Sequence, residues 1–404
     1  MSQTTKSKTF TVALSMVICL FFLWAISNNL LSSVVKKMMT LFDIDQAKAE
    51  FVETSYWFAY FLFPIPIAMF MKRFSYKAGI ILGLIIAAAG ALLFLPVTRI
   101  HSFPLYLCAF FIVAIGMCFL ETAANPYVTE LGDPATAPRR LNLAQAFNGL
   151  GAFIAAMFLS KLILGTDGSR TVQQDIHTFR LTYMVFAIVL LVIAVVFIFT
   201  RLPRIQAEDE DEGSTKLISF KVFKRSHLRN GVIAQFFYNG GQTAVNSLFL
   251  VYCINYVGMS NSQATTFFGF YMLFFLVGRW VGTTLMVKFR PQDMLVCYGI
   301  ANVLLCAVVC LVGGKAAVFA MMGISFFMSI MYPTQFSLAL TDLKGDTKSG
   351  SAFLVMAIVG NAILPILTAY LQKSMENPNV AYLIPLVCFA VCAWYGWRGH
   401  VVKD

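Results

Sequence analysis

The stretch Gly116-Met-Cys-Phe-Leu-Glu121-Thr-Ala-Ala-Asn-Pro-Tyr127 decides how this sequence is interpreted. It lies in an apolar run from about Phe103 to Glu130, which is long enough to cross the roughly 30 Å hydrocarbon core of a bilayer as a helix. Glu121 lies nine residues before the end of that run, so a rise of about 1.5 Å per residue places its carboxyl near the bilayer midplane. A charge at that depth costs at least ~2.5 kcal/mol and usually marks an ion or substrate path.

The composition is that of a membrane protein. Of 404 residues, 59% are hydrophobic and 12% charged, and the mean hydropathy is +0.76. A soluble globular protein carries about 25% charged residues, so the sequence predicts an all-α protein that crosses the membrane many times. The net charge of +11 comes from basic residues in short loops, which indicates topology and no nucleic-acid partner.

Twelve apolar runs are separated in the middle by one polar segment, which contains Glu208-Asp-Glu-Asp-Glu212. This pattern predicts twelve transmembrane helices in two six-helix halves, residues 1–200 and 230–404, joined by a solvated cytoplasmic linker over 201–229. The runs lie at approximately 10–35, 51–71, 78–97, 103–130, 141–165, 180–200, 230–257, 263–287, 294–312, 315–341, 350–372 and 379–398.

Lysine and arginine counts predict the orientation. With both termini inside, the inner segments hold 20 of these residues and the outer loops nine, while Arg279 lies within a span and completes the 30. Inner loops of membrane proteins carry the basic excess, so the termini and the linker are expected in the cytoplasm.

The sequence offers little for catalysis or metal binding. It contains no Gly-x-Ser-x-Gly, His-Glu-x-x-His or Walker-type motif, and its nine cysteines form no Cys-x-x-Cys pair. The four histidines fall near span ends or in loops. We therefore expect no enzyme, no metal site and no cofactor. Any energy coupling must then come from an ion gradient.

Glu121 and Asn125 are four residues apart and share a helix face, and Pro126 removes one backbone hydrogen bond beside them. Two interpretations stay open for the carboxyl. Either it is structural and pairs with a buried cation such as Arg279, or it binds a proton and hydrogen-bonds a substrate. Arg279, in Gly278-Arg-Trp-Val-Gly282, is expected to lie at a gating hinge.

Gln145 and Asn148 form a second polar stripe, three residues apart, with Gly149 and Gly151 beside them for close helix packing. Buried amides need hydrogen-bond partners, which sugar hydroxyls or neighbouring helices can supply. Together with further uncharged amides, hydroxyls and rings in both halves, these groups suit a neutral polyol. The further candidates are Trp24, Asn28, Asn29, Ser32, Asn239, Gln242, Asn246, Tyr332, Gln335 and Asn361.

Several stretches resemble those of the fucose:proton symporters in the major facilitator superfamily, and the resemblance covers nearly the whole chain. They are Phe21-Phe-Leu-Trp-Ala-Ile-Ser-Asn-Asn-Leu30, Phe63-Pro-Ile-Pro66, Phe74-Ser-Tyr-Lys-Ala-Gly79, Cys118-Phe-Leu-Glu-Thr-Ala-Ala-Asn-Pro126, Arg140-Leu-Asn-Leu-Ala-Gln-Ala-Phe-Asn148, Val277-Gly-Arg279, Tyr332-Pro-Thr-Gln-Phe-Ser337 and Asp346-Thr-Lys-Ser-Gly350.

This resemblance implies that a monomer in a bacterial inner membrane imports L-fucose or a related hexose with protons by alternating access. Glu121 would match the family's helix-4 carboxylate, which serves substrate recognition and proton handling. Gln145 and Asn148 would match its polar helix-5 positions in the cavity.

One position departs from the family pattern. After the paired asparagines the family continues Leu-Asn-Asp, whereas this chain reads Leu30-Leu-Ser-Ser33, so Ser32 stands at about the place of a second membrane acid. Glu121 then acts as the sole membrane carboxylate, or the protein is an uncoupled facilitator or a carrier of an amino sugar or cell-wall sugar. A non-transporting membrane sensor is the alternative of another class, disfavoured by twelve full spans without a soluble effector domain.

Overall fold

The structure is a computed structural model that describes residues 10–27, 55–100, 102–155, 172–203, 218–375 and 377–402. Within these ranges the chain is helical and contains no strand, which confirms the predicted all-α class. The helices are α1 (Phe10–Ser27), α2 (55–62 and Pro64–Arg73), α3 (Tyr76–Ile100), α4 (Phe103–Glu130), α5 (Ala137–Ile154), α6 (Val172–Phe199), α7 (Ser226–Asn255), α8 (Asn261–Leu285), α9 (Pro291–Val312), α10 (Gly314–Met328 and Met331–Ala339), α11 (Thr347–Met356, Ala357–Val359 and Gly360–Met375) and α12 (Leu383–Trp394).

Nine of these helices, counted over the described ranges, are long and apolar enough to cross a membrane by length and composition alone. The other three are α2, α5 and α7. Polar side chains inside a membrane face the bundle interior, so the amides of α5 and α7 account for their low hydropathy. Both helices are indeed central: α5 packs on α4, α8 and α10, and α7 packs on α8, α10, α11 and α12.

Helices α3 and α4 form the tightest described pair among the first six. A Cβ added at Gly116 of α4 would lie 2.4 Å from the backbone nitrogen of Ala87 in α3. One added at Gly90 of α3 would lie 2.6 Å from the backbone nitrogen of Val113. Only glycine allows the two backbones to approach this closely, so small residues set the distance between these helices.

Among the described residues, the first six helices contact the last six toward one end of the bundle. This end, where α6 stops at Phe199 and α7 starts at Ser226, is here termed the linker end. There α5 packs against α8 and α10, while the first segment of α11 packs against α2 and α4. These contacts form a continuous surface between the two groups, here termed the seam, and it is closed at the linker end.

The linker is attached at both of its described ends. Tyr127 at the end of α4 donates a hydrogen bond to the carbonyl of Pro203, 3.1 Å away. On the other side, the backbone nitrogen of Ser219 donates to the hydroxyl of Ser349 in α11. Residues 204–217, which hold the acidic run, lie outside the described part. Helix α7 begins at Ser226, inside the interval 201–229 that the sequence assigns to the linker.

Candidate functional site

Glu121 lies in α4 on the seam, and its side chain is 3% exposed. The hydroxyl of Tyr332, on the second segment of α10, donates to its Oε1 across 2.5 Å. Its Oε2 is buried and has no hydrogen-bond partner among the described residues. The carboxyl therefore joins the first six helices to the last six through its Oε1.

A chain of amides continues from this contact. Asn125 donates to the Tyr332 hydroxyl at 3.5 Å, and Gln145 of α5 donates to Asn125 Oδ1 at 3.3 Å. Arg279 of α8 then donates through Nη1 to the backbone carbonyl of Gln145 at 2.7 Å. The hydrogen bonds thus run without a gap from Arg279 to Glu121 and cross the seam more than once.

Two prolines leave backbone carbonyls near the site without a helical hydrogen-bond donor. A proline has no N–H, so the carbonyl four residues before it loses its helical donor. Pro126 frees the carbonyl of Thr122, which accepts from the Ser351 hydroxyl of α11 at 3.1 Å. Pro333 frees the carbonyl of Ser329, which Arg279 Nε binds at 2.7 Å. Both freed acceptors are therefore filled by side chains of other helices.

Tyr332 is also held from within the last six helices. Gln235 of α7 donates to the Tyr332 carbonyl at 2.8 Å, and Asn239, one turn further, donates to the Gln235 carbonyl at 2.7 Å. Closer to the linker end, Asn142 of α5 donates to the hydroxyl of Thr334 at 3.0 Å and adds one more bond across the seam. The backbone that carries the Tyr332 phenol is thus held in place by hydrogen bonds from α7.

On its other side Glu121 faces α1 and α2. A small crevice beside it is lined by Leu20, Phe21, Trp24, Leu120 and Ala124. The indole nitrogen of Trp24 donates to the hydroxyl of Tyr60 in α2 at 2.8 Å.

Aromatic rings continue along α2 beyond this pair. The centroids of Tyr56 and Trp57 lie 5.4 Å apart, and those of Trp57 and Tyr60 lie 5.5 Å apart. Tyr56 and Tyr60 are fully buried, whereas Trp24 and Trp57 are partly exposed.

Asn148 has a structural contact. Its amide donates to the Phe21 carbonyl of α1 at 3.1 Å. A Cβ at Gly151, one turn later, would lie 2.4 Å from the carbonyl of Phe22, so α5 and α1 touch through backbone there. At Gly149 the nearest atom is an ordinary 3.4 Å away, on Leu276. The expected close packing is thus present at Gly151 and absent at Gly149.

The remaining predicted residues do not all converge on Glu121. Asn246 accepts from Tyr271 of α8, and Asn361 accepts from Thr243 of α7, so each joins helices of the last six. Gln242 is half-buried. Asn28, Asn29 and Ser32 lie outside the described residues.

Gln335 was expected at the substrate cavity with Tyr332, three residues away. It is instead fully buried, with its amide beside the Cys392 thiol of α12. Residues three apart differ by about 60° around the helix axis, and at this position that leaves Tyr332 on the seam and Gln335 beside α12.

Arg279 does not form the ion pair that the sequence left open. Its donors go to the carbonyls of Ser329 and Gln145, and the carboxyl of Glu121 is held by Tyr332. The guanidinium lies six residues before the end of α8 and links α5 to α10, with its Cζ 4.5 Å from the centroid of the Phe275 ring.

Several residues of the network were missed in the sequence. Gln235 is one turn before Asn239 on the same face of α7 and could have been found from that spacing. Tyr60 and Ser351 carry no such signal, because neither lies at a helical spacing from another polar residue that would single it out. Within the described ranges, no group of three or more histidine, cysteine or acidic side chains is placed to hold a metal ion.

Chemically, the site offers one carboxyl in contact with a phenol, backed by amides and aromatic rings. A charged carboxylate accepts a stronger, charge-assisted hydrogen bond from Tyr332 than a protonated carboxyl does. Gaining or losing a proton at Glu121 therefore changes the strength of a contact across the seam.

Comparisons with known proteins give the family and its members. The family model of the Major Facilitator Superfamily matches residues 16–369. The chain is 36% identical to the L-fucose-proton symporter of Escherichia coli K12 over 407 residues, covering 96% of this chain and 92% of that protein. It is 34% identical to a glucose/galactose transporter of Brucella abortus, covering 98% and 96%. A crystal structure of the transporter FucP in the outward conformation matches with a TM-score of 0.89 and 35% identity over 98% of this chain and 100% of that one.

Proposed function

The chain belongs to the Major Facilitator Superfamily, and we propose that it imports a neutral monosaccharide, L-fucose or a related hexose, together with protons by alternating access. The similar L-fucose-proton symporters and glucose/galactose transporters support the substrate class. The observation that carries the proposal is the Glu121–Tyr332 contact. The Glu121 carboxyl, which can bind a proton, is hydrogen-bonded there to a residue on the other side of the seam.

In the proposed cycle the two six-helix halves, residues 1–200 and 230–404, rock about the seam. The linker end faces the cytoplasm and is closed, so the sugar enters from the opposite side and reaches Glu121, Trp24 and Tyr332. A proton on Glu121 weakens its bond to Tyr332 and lowers the cost of opening the seam. The sugar and the proton then leave on the linker side.

The orientation and assembly are part of the same proposal. The protein is a monomer in a bacterial cytoplasmic membrane with both termini inside. The 20 basic residues assigned to the inner segments, against nine outside, support this orientation. The bacterial relatives support the location.

Ser32, at about the place of the family's second membrane acid, favours one alternative. An uncoupled facilitator, or a carrier for an amino sugar or a cell-wall sugar, would keep the fold and the polar site but need no second carboxyl. Proton coupling separates the facilitator from the symporter, and the range of sugars separates the carriers from one another.

The test uses purified protein in liposomes with an inward proton gradient and labelled L-fucose, D-glucose and D-galactose as probes. Wild-type protein should accumulate at least one of these sugars against its gradient. Glu121→Gln removes the titrating group and should lose that accumulation while still exchanging sugar in counterflow. The exposed acid at the start of α9 supplies the control, since Asp293→Asn should accumulate sugar as wild type does.

Full accumulation by the Glu121→Gln variant would contradict proton coupling at this carboxyl. Sugar uptake without any proton movement in the wild type would favour the facilitator. If none of the three hexoses is moved, competition against an amino-sugar panel tests the remaining alternative.

A further inference from the structure

Helix α10 is interrupted next to the site. Its first segment ends at Met328 and its second begins at Met331, so Ser329 and Ile330 form a break between them. Pro333 follows within the next turn and denies Ser329 its helical hydrogen bond. The second segment carries Tyr332, so the direction in which the chain leaves this break decides where the phenol lies.

Side chains from α7 and α8 bind the backbone around the break. Tyr238 of α7 donates to the Met328 carbonyl at 3.0 Å, and Arg279 of α8 donates to the Ser329 carbonyl at 2.7 Å. Just after the break, Gln235 holds the Tyr332 carbonyl. Each of these contacts satisfies a carbonyl, and none of them binds a backbone N–H.

Asn302 of α9 also contacts the backbone of α10. It differs from the side chains above because its amide faces both a carbonyl and an N–H. It is fully buried. Oriented so that each amide atom faces a complementary group, its nitrogen donates to the Ile324 carbonyl at 3.1 Å and its oxygen accepts from the Met328 N–H at 3.2 Å. Residues 324 and 328 are the i and i+4 positions that bond each other in an uninterrupted helix. The amide thus lies against the last turn before the break and contacts both of its backbone groups.

We propose that Asn302 is a positioning residue for the Glu121–Tyr332 contact, and this rests on the transport function proposed above. By holding both backbone groups of that turn, the amide sets the direction of the Met331–Ala339 segment. It thereby places the Tyr332 hydroxyl on the carboxyl of the opposite half. Asn302 itself touches neither Glu121 nor the crevice beside it.

The test is a double-mutant cycle on sugar counterflow in liposomes, with L-fucose, D-glucose or D-galactose as the probe. Asn302→Leu keeps the shape of the side chain and removes both hydrogen bonds. Tyr332→Phe removes the phenol hydroxyl. If Asn302 acts through Tyr332, we expect about tenfold slower counterflow for Tyr332→Phe, about fivefold for Asn302→Leu, and no further loss in the double variant. The ratio of protons to sugar moved should fall in both single variants.

Independent losses that multiply in the double variant would overturn the proposal, since Asn302 would then act on folding in general. The same conclusion would follow if Asn302→Leu left the proton-to-sugar ratio unchanged. Ser325→Ala is the matched control on α10: it removes a buried 2.7 Å bond to the Tyr271 carbonyl ahead of the break and should leave the ratio as in wild type.

Tyr238→Phe tests the same turn should Asn302→Leu fold poorly. It removes only the bond to the Met328 carbonyl and should produce a smaller change in the same direction, whereas an unchanged ratio would count against the proposal. If Glu121→Gln shows that transport is uncoupled, the double-mutant cycle alone decides, because counterflow needs no proton gradient. Failure of this inference is therefore distinct from failure of the proposed function.

Discussion

The α3–α4 contact and the seam are built in opposite ways. Between α3 and α4, glycines bring backbone against backbone, with Gly116 and Gly90 leaving no room for a methyl group. Across the seam the joining atoms are side-chain hydroxyls, amides and a carboxyl, and the seam glycine Gly149 has its nearest neighbour at 3.4 Å.

This difference follows from what each contact has to do. Backbone packing gains from many close dispersion contacts, and separating it forfeits all of them. A polar bond can be exchanged for a bond to water, and its net contribution is only about 0.5–1.5 kcal/mol. The α3–α4 pair is therefore suited to stay together throughout transport. The seam is suited to open and close.

The largest expected effect comes from breaking the α3–α4 contact. Gly116→Ala places a methyl carbon 2.4 Å from the backbone of Ala87, so the helices must move apart at a cost of about 3 kcal/mol. We expect a lower melting temperature and less folded protein on size-exclusion chromatography. Gly149→Ala is the control on the seam and should change stability by no more than about 0.5 kcal/mol. Equal melting temperatures for the two variants would refute the distinction.

The second-largest effect is expected for Arg279→Lys. A guanidinium can bind the carbonyls of Ser329 and Gln145 at once, whereas an ammonium acts as a point charge and cannot reach both with the same geometry. Losing one charge-assisted bond costs about 2 kcal/mol, which shifts the balance toward the open linker end roughly 30-fold, and uptake against the sugar gradient should fall as a result.

The uptake is compared in liposomes with that of Arg290→Lys, which changes an exposed arginine before α9 and should behave as wild type. Normal uptake by Arg279→Lys would mean that the guanidinium fork contributes nothing across the seam.

Ser351→Ala should have the smallest effect. It removes one neutral bond across the seam, to the Thr122 carbonyl, worth about 1 kcal/mol, and so shifts the balance toward the open linker end about fivefold. Hydrogen-exchange mass spectrometry should show faster exchange in Thr347–Met356. Thr368→Val, which removes a buried hydroxyl bonded within its own helix, should leave that exchange unchanged. If both variants exchange alike, the bond does not hold the seam.

Much of this could be predicted from the sequence. Hydropathy gave the twelve spans, and the isolation of Glu121 in an apolar run identified the central carboxyl. The spacing of Asn125 from Glu121, and of Gln145 in the next helix, also indicated polar groups that the structure joins in one network.

The partners of those groups could not be predicted, because spacing along a helix does not say which neighbour it faces. The Tyr332 hydroxyl lies 211 residues from the carboxyl it binds. Gln335, from the same motif, has its amide in the core beside Cys392. Asn302 gave no signal, since its role depends on a break in another helix and the sequence marks that break only through Pro333.

The carbonyl that Pro126 leaves without a donor has a consequence for hydration. In the closed state Ser351 covers the Thr122 oxygen, one residue from Glu121. When the seam opens and that hydroxyl withdraws, no N–H of α4 can replace it, so a water molecule must bind there. Opening thus brings water to the linker side of the Glu121 carboxyl. Because Pro126 has no N–H, the first of these water molecules binds at the Thr122 oxygen.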